Sequence, residues 1–182
     1  YDIYHLSYKE LAKSEKDCVK QFYEASIAPV LSPQIVVVQH PFPHLANKVL
    51  HIGVMLKHKS RMIFGVIPLP GVLPDVFYLP GSETRYIRTE SIILEYASKL
   101  FHPYEVVEKV VFSITRNADV NPDDESFADE SDFRKRMKKV LNRRSRLAPV
   151  RLELSHKISA SFAAYLKEKL NLADNQIYTT SA

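Results

Sequence analysis

The residues best suited to chemistry in this 182-residue sequence stand in one charged tract, where seven carboxylates between Asp119 and Asp132 precede nine cations between Arg134 and Arg151. Arginine forks grip two phosphate oxygens at once and lysines supply point charges, so the cationic half reads as a track for a phosphate chain or a nucleic acid. A solvated helix is the plainer reading, because carboxylates at a helix start and cations toward its end both favour the macrodipole. A surface that meets a partner subunit is the third.

The histidines, at 5, 40, 44, 51, 58, 102 and 156, contain one pair four residues apart, His40 and His44. On a helix such a pair could share a metal, but the prolines at 41 and 43 forbid the helix and no adjacent carboxylate completes a motif. A loop of polar and packing histidines is expected, with no metal site. Nucleophile elbows, Walker loops and G-x-G-x-x-G fingerprints are absent from a chain with only 4 Gly, so no catalytic residue is assigned. The single cysteine, Cys18, is placed on the buried face of the first helix as a small apolar side chain.

With 46% hydrophobic and 25% charged residues the chain fits one globular domain with a sizeable core. One cysteine closes no disulfide and completes no thiolate zinc site, which points to a reducing, cytoplasmic setting. No run of about 18 apolar residues is present, so no membrane span is expected. The net charge of +4 and pI near 9.0 favour polyanions mildly. Tyr1 stands first without an initiator Met, and the chain is expected to be a piece of something longer.

The positions that could carry this chemistry need elements to hold them. The start reads as a charged helical segment, and Ser14-Glu15-Lys16-Asp17 has the form of a capping box opening a helix over about residues 15 to 28, with Cys18, Phe22, Ala25 and Ser26 at helical spacing. Ile35 to Val38, bounded by prolines, reads as a strand. Leu50, Ile52, Val54 and Leu56, then Met62, Phe64 and Val66, alternate as an antiparallel hairpin. Four prolines between 68 and 80 predict an extended connection with an edge piece at Phe77-Tyr78-Leu79. A helix follows from Thr89 to before Pro103, then a long, largely buried central strand over 105 to 115. A helix over about 124 to 145, a strand through Val150, Leu152 and Leu154, a helix capped by Ser159 and a last strand at Gln176-Ile177-Tyr178 complete the reading. The fold class is α+β, a mixed, mostly antiparallel sheet packed with about four helices in a single domain.

Several separated segments together resemble one family, the bacterial polyphosphate kinases that autophosphorylate on histidine. Phe22-Tyr23 running into Ile27-Ala28-Pro29-Val30-Leu31-Ser32-Pro33 is similar to that family's aromatic pair followed by I-x-P-V-L-[ST]-P. The stretch from His40 to Asn47 resembles its H-P-F-P-x-L-x-N, and the segments Ile67-Pro68, Val72-Leu73-Pro74, Tyr78-Leu79-Pro80 and Ile87 to Ile93 follow in its order. Phe112 to Asp119 looks like its F-R-[VI]-T-R-[DN]-A-D, and Pro149-Val150-Arg151-Leu152-Glu153 like its P-V-R-L-E. The sequence departs from the pattern at Ser113, at Asp75-Val76 and at Leu147-Ala148.

The matching segments are those of the family's middle, or head, domain, so the resemblance implies a head domain over 1–182, with the first residues a linker from the preceding domain. It implies that the parent enzyme moves the γ-phosphoryl of ATP reversibly to polyphosphate through a phosphohistidine, with Mg²⁺ and ATP as its cofactors. The phospho-accepting histidine would lie outside this chain, so none of the seven histidines is a nucleophile, no cofactor is expected here, and the fragment alone is expected to be inactive. The head domain's implied role is dimerisation and support of the catalytic domains. Its implied partners are a second copy in a homodimer or higher homo-oligomer, the other domains of the same enzyme, and polyphosphate. Nucleic acid is not expected, and the parent would be cytoplasmic with some membrane association. The alternative role is a polyanion-binding module that guides polyphosphate through Arg116, Arg143, Arg144 and Arg146. An independent small enzyme has little support.

Overall fold

The two apolar, β-rich stretches of the predicted hairpin are separated by Lys57-His58-Lys59-Ser60-Arg61, and the chain turns at Lys59-Ser60. The computed structural model describes residues 3–37, 41–81, 83–117 and 148–180. Its elements in chain order are β1 (Ile3–His5), α1 (Lys13–Phe22), β2 (Gln34–Val36), β3 (Leu50–His58), β4 (Arg61–Pro68), β5 (Val76–Tyr78) and β6 (Thr84–Arg88). There follow α2 (Thr89–Leu100), β7 (Glu105–Arg116), β8 (Pro149–Leu154), α3 (Ala160–Leu170) and β9 (Ile177–Thr179). The architecture is α+β with mixed, mostly antiparallel pairing, as the sequence pattern predicts.

The chain divides into two compact units, Tyr1–Pro43 with Leu50–Phe112, and His44–Val49 with Ser113–Ala182. In the first, β2, β4, β3 and the leading part of β7 lie side by side, and a separate three-stranded sheet has the order β1-β6-β5. Its core joins Ile52, Val54, Leu56 and Ile67 of the hairpin to Ile92, Ile93, Tyr96 and Ala97 of α2. Val19, Tyr23 and Ile27, four residues apart, complete that core. Each fully buried aliphatic side chain contributes about 1.5–3 kcal/mol. Gly65 is required by this packing, since a Cβ there would stand 2.6 Å from Phe101 Cε1 and 2.7 Å from Val54 Cγ2. In the second unit, β8 and β9 pair in parallel, with Leu152 opposite Ile177. Ser159 Oγ accepts from Phe162 N at 3.2 Å to cap α3, whose Phe162, Leu166 and Leu170 are buried as their spacing predicts.

Several expectations are corrected. Ile3 to His5 form a strand parallel to β6 instead of a helical segment, because extended β-forming side chains find an open sheet edge there. The first helix starts at Lys13, where Glu15 Oε2 accepts from Ala12 N at 2.7 Å, so Ser14 does not cap it. After Phe22 it widens into a π-helical turn, Tyr23–Ile27, and a 3₁₀ turn, Ala28–Val30, as Pro29 removes a helical donor. Its buried stripe is Glu15, Val19, Tyr23 and Ile27. Cys18 is therefore only half-buried, and Ala25 and Ser26 are exposed. The strand expected near Ile35 begins at Gln34, and β6 was not anticipated. The helix predicted over about 124 to 145 lies outside the described residues.

Candidate functional site

Alternation along β7 buries Val110, Phe112 and Ile114 on one face and carries Arg116 in the same register, so the strand ends by taking a guanidinium inward. Arg116 is 9% exposed. Its Nε and Nη2 donate to the Leu45 carbonyl at 3.1 and 2.9 Å, and its backbone N donates to Asn47 Oδ1 at 2.9 Å. The loop is returned to the strand by Lys48 N, which donates to Ile114 O at 2.8 Å while Lys48 adopts a φ of 58°. Burial lowers the Arg116 pKa from its ordinary value, and the carbonyl dipole offsets part of that cost. The segment ending Leu45-Ala46-Asn47 and the segment Thr115-Arg116-Asn117 thus form one clasp.

A second pair of segments is joined in the same manner. At the junction of β6 and α2, Thr89 Oγ1 donates to Pro74 O at 2.5 Å and Thr89 N to Asp75 O at 3.0 Å. Asp75 stands at one of the departures, and it contributes through its carbonyl, which any side chain would leave in place. Nearby in the chain, Arg88 reaches Glu90 at 3.8 Å across the helix start. A third tie joins Arg85 Nη1 to the buried Glu15 carboxylate.

Under α1 and α2 lies a group of phenols. Tyr23 stacks on Tyr96 with ring centroids 4.1 Å apart, and Tyr8 meets Tyr96 edge-on with its hydroxyl 3.3 Å from the Tyr96 hydroxyl. Desolvation pushes the Tyr96 phenol well above its ordinary pKa, helped by its bond to Tyr8.

Of the residues singled out from sequence, the structure places Arg116 at the clasp, bonded to backbone. Arg143, Arg144 and Arg146, the acidic stretch from Asp119 to Asp132 and His40 lie outside the described residues. The other histidines are dispersed: His51 is 1% exposed and stacks on Phe112, His5 stacks on Tyr86, and His156 Nδ1 lies 3.0 Å from Ser155 Oγ. Among the described residues, no three His, Cys, Asp or Glu side chains are grouped to hold a metal ion, and no helix is long and apolar enough to cross a membrane. Two features escaped the sequence reading. One is the ring row His5, Tyr86 and Tyr78, which lie in register across β1, β6 and β5. The other is the cationic tip of the β3–β4 hairpin, made of Lys57, His58, Lys59 and Arg61.

Set beside known proteins, this chain and its fold have clear relatives. The family model described as polyphosphate kinase middle domain matches residues 14–182. A polyphosphate kinase of Bacillus anthracis is 31% identical over 185 residues, covering 97% of this chain and 26% of the relative. One from Exiguobacterium sibiricum is 32% identical over 179 residues, covering 95% and 24%. The crystal structure of polyphosphate kinase from Porphyromonas gingivalis shares the fold with a TM-score of 0.74 at 18% identity, over 98% of this chain and 25% of that one. The chain belongs to the polyphosphate kinase family and corresponds to its middle domain. It spans about a quarter of the length of the relatives it matches.

Proposed function

We propose that this chain is the non-catalytic head domain of an enzyme that transfers the ATP γ-phosphoryl to polyphosphate through a phosphohistidine located elsewhere in the parent, and that it works in dimerisation and in support of the catalytic domains. The observation that carries the reading is the outer face of the β1-β6-β5 sheet. Ile3 and Tyr78 there are 64% and 62% exposed, on the face that carries the ring row of His5, Tyr86 and Tyr78. Exposed apolar and aromatic surface gathered on one sheet face is the kind that a protein partner covers. The clasps support the same role, since Arg116 and Thr89 each bond to a backbone carbonyl and each ties its own pair of motif segments together.

Sedimentation over a range of protein concentrations tests the assembly role. Self-association that resists salt and is lost in Tyr78→Glu is the expected result, and a monomer at every concentration would overturn it. The companion reading, that Arg116 with Arg143, Arg144 and Arg146 guides the polymer, predicts that replacing Arg143, Arg144 and Arg146 by Glu abolishes polyanion binding.

A further inference from the structure

We infer that the tip of the β3–β4 hairpin is a contact site for a linear polyphosphate chain, formed by Lys57, Lys59 and Arg61. Naming that polymer rests on the enzyme proposed above; the site itself is read from the hairpin. His58 lies opposite Arg61 in register and Lys57 opposite Met62, with the two-residue turn Lys59-Ser60 beyond them. Successive strand side chains point to opposite faces, so Lys57 and Arg61 leave the hairpin on different sides and Lys59 leaves from its end. The cations therefore fan around the tip.

Three observations separate this tip from an ordinary charged turn. All three side chains are exposed, and no carboxylate occurs from residue 57 to residue 62. None of the three is ion-paired or side-chain hydrogen-bonded to another described residue, whereas Arg85, Arg88, Arg151 and Lys167 all have carboxylate partners. Glu105, next in the chain to the Tyr104 ring that lies 5.1 Å from the His58 ring, pairs with none of them. Lys59 also adopts a φ of 55°, a left-handed conformation in which glycine or asparagine is the unstrained choice. A lysine is thus held where the backbone disfavours it.

The fan selects the ligand class. A single phosphate needs donors that converge on one point, as at a nest or a helix start. Divergent point charges offer such an ion one weak contact at a time, whereas a flexible chain of phosphates engages them in succession and releases counterions at each.

The test is a titration of end-labelled linear polyphosphate into the protein over a salt series, with the Lys57→Ser, Lys59→Ser, Arg61→Ser triple variant alongside. The expected result is saturable wild-type binding, an affinity reduced roughly tenfold or more in the variant, and a log–log salt slope shallower by about 2, the share of three cations on a single-stranded polyanion. Lys59→Gly, which relieves the turn while removing one charge, loses affinity by about twofold. Orthophosphate and phosphatidylserine vesicles fail to displace the polymer. No wild-type binding, an unchanged affinity and slope in the triple variant, or displacement by the vesicles would each overturn the inference. Sedimentation of the same samples keeps it distinct from the assembly role: a variant that still self-associates but has lost the polymer supports the tip, and loss of self-association alone falls on the assembly reading.

Discussion

At the end of β7 the Arg116 guanidinium is buried and donates twice to one carbonyl, whereas at the tip of the β3–β4 hairpin Lys57, Lys59 and Arg61 are exposed and have no ion-pair or side-chain hydrogen-bond partner among the described residues. Both places are cationic, and both follow from strand alternation. They differ in what lies beside them. Arg116 meets a loop whose Leu45 carbonyl needs a donor, and desolvation makes that bond costly to lose. The tip's cations are exposed, and exposed charges contribute little to stability and remain available for long-range attraction of a polyanion. Charge alone therefore does not identify a binding residue; the partners already engaged do.

The largest expected effect breaks the buried half of this comparison. Arg116→Met should destabilise the fold by about 3 kcal/mol in urea unfolding, since two hydrogen bonds from a charged donor are lost and a buried carbonyl is left unpaired. Arg116→Lys should recover only part, because an ammonium lacks the fork that reaches Leu45 O from both Nε and Nη2. A steric control sharpens the contrast. Gly65→Ala places a methyl against Phe101 and Val54 and should cost about 2 kcal/mol by overpacking, with no change in polyphosphate affinity.

A smaller effect comes from Tyr96. Its folded pKa is raised, so the fold favours the neutral phenol. The associated stability is complete below the ordinary phenol value of about 10 and is lost as pH rises through that value toward the folded one. Unfolding curves across alkaline pH should therefore fall more steeply in the wild type than in Tyr96→Phe. The smallest effect lies at the tip, where Lys59→Gly should raise stability by a few tenths to about 1 kcal/mol through relief of the left-handed lysine, seen as a higher thermal midpoint. A loss of stability there would mean that Lys59 makes a contact the structure lacks.

Much of this was legible in the sequence, for reasons that can be stated residue by residue. The hairpin, α2, β7, β8 and α3 are long or strongly patterned, and Ser159 announces its helix through a capping chemistry that needs no tertiary context. β1 and β6 were missed because each is short and their pairing joins residues some eighty positions apart, which periodicity cannot see. The hairpin's second face misled in another way. His51, Gly53 and Met55 look mixed in sequence, yet all are buried, as in a strand covered on both sides. At the candidate site, Arg116 was visible as part of a motif but its use was not, because the Leu45 carbonyl that receives it is a backbone group. The tip is visible in sequence as Lys57-His58-Lys59 and Arg61, and only the structure shows that no described carboxylate pairs with its lysines and arginine.

The most direct test of the division between buried and free cations measures two quantities on two variants: urea stability and polyphosphate affinity for Arg116→Met and for the triple serine variant of Lys57, Lys59 and Arg61. The account predicts a crossed result, in which Arg116→Met loses stability and, below its unfolding transition, keeps its affinity, while the tip variant keeps stability within about 0.5 kcal/mol and loses affinity roughly tenfold. A folded Arg116→Met protein that no longer binds the polymer, beside a tip variant that binds as well as the wild type, would contradict it and make the clasp the binding site.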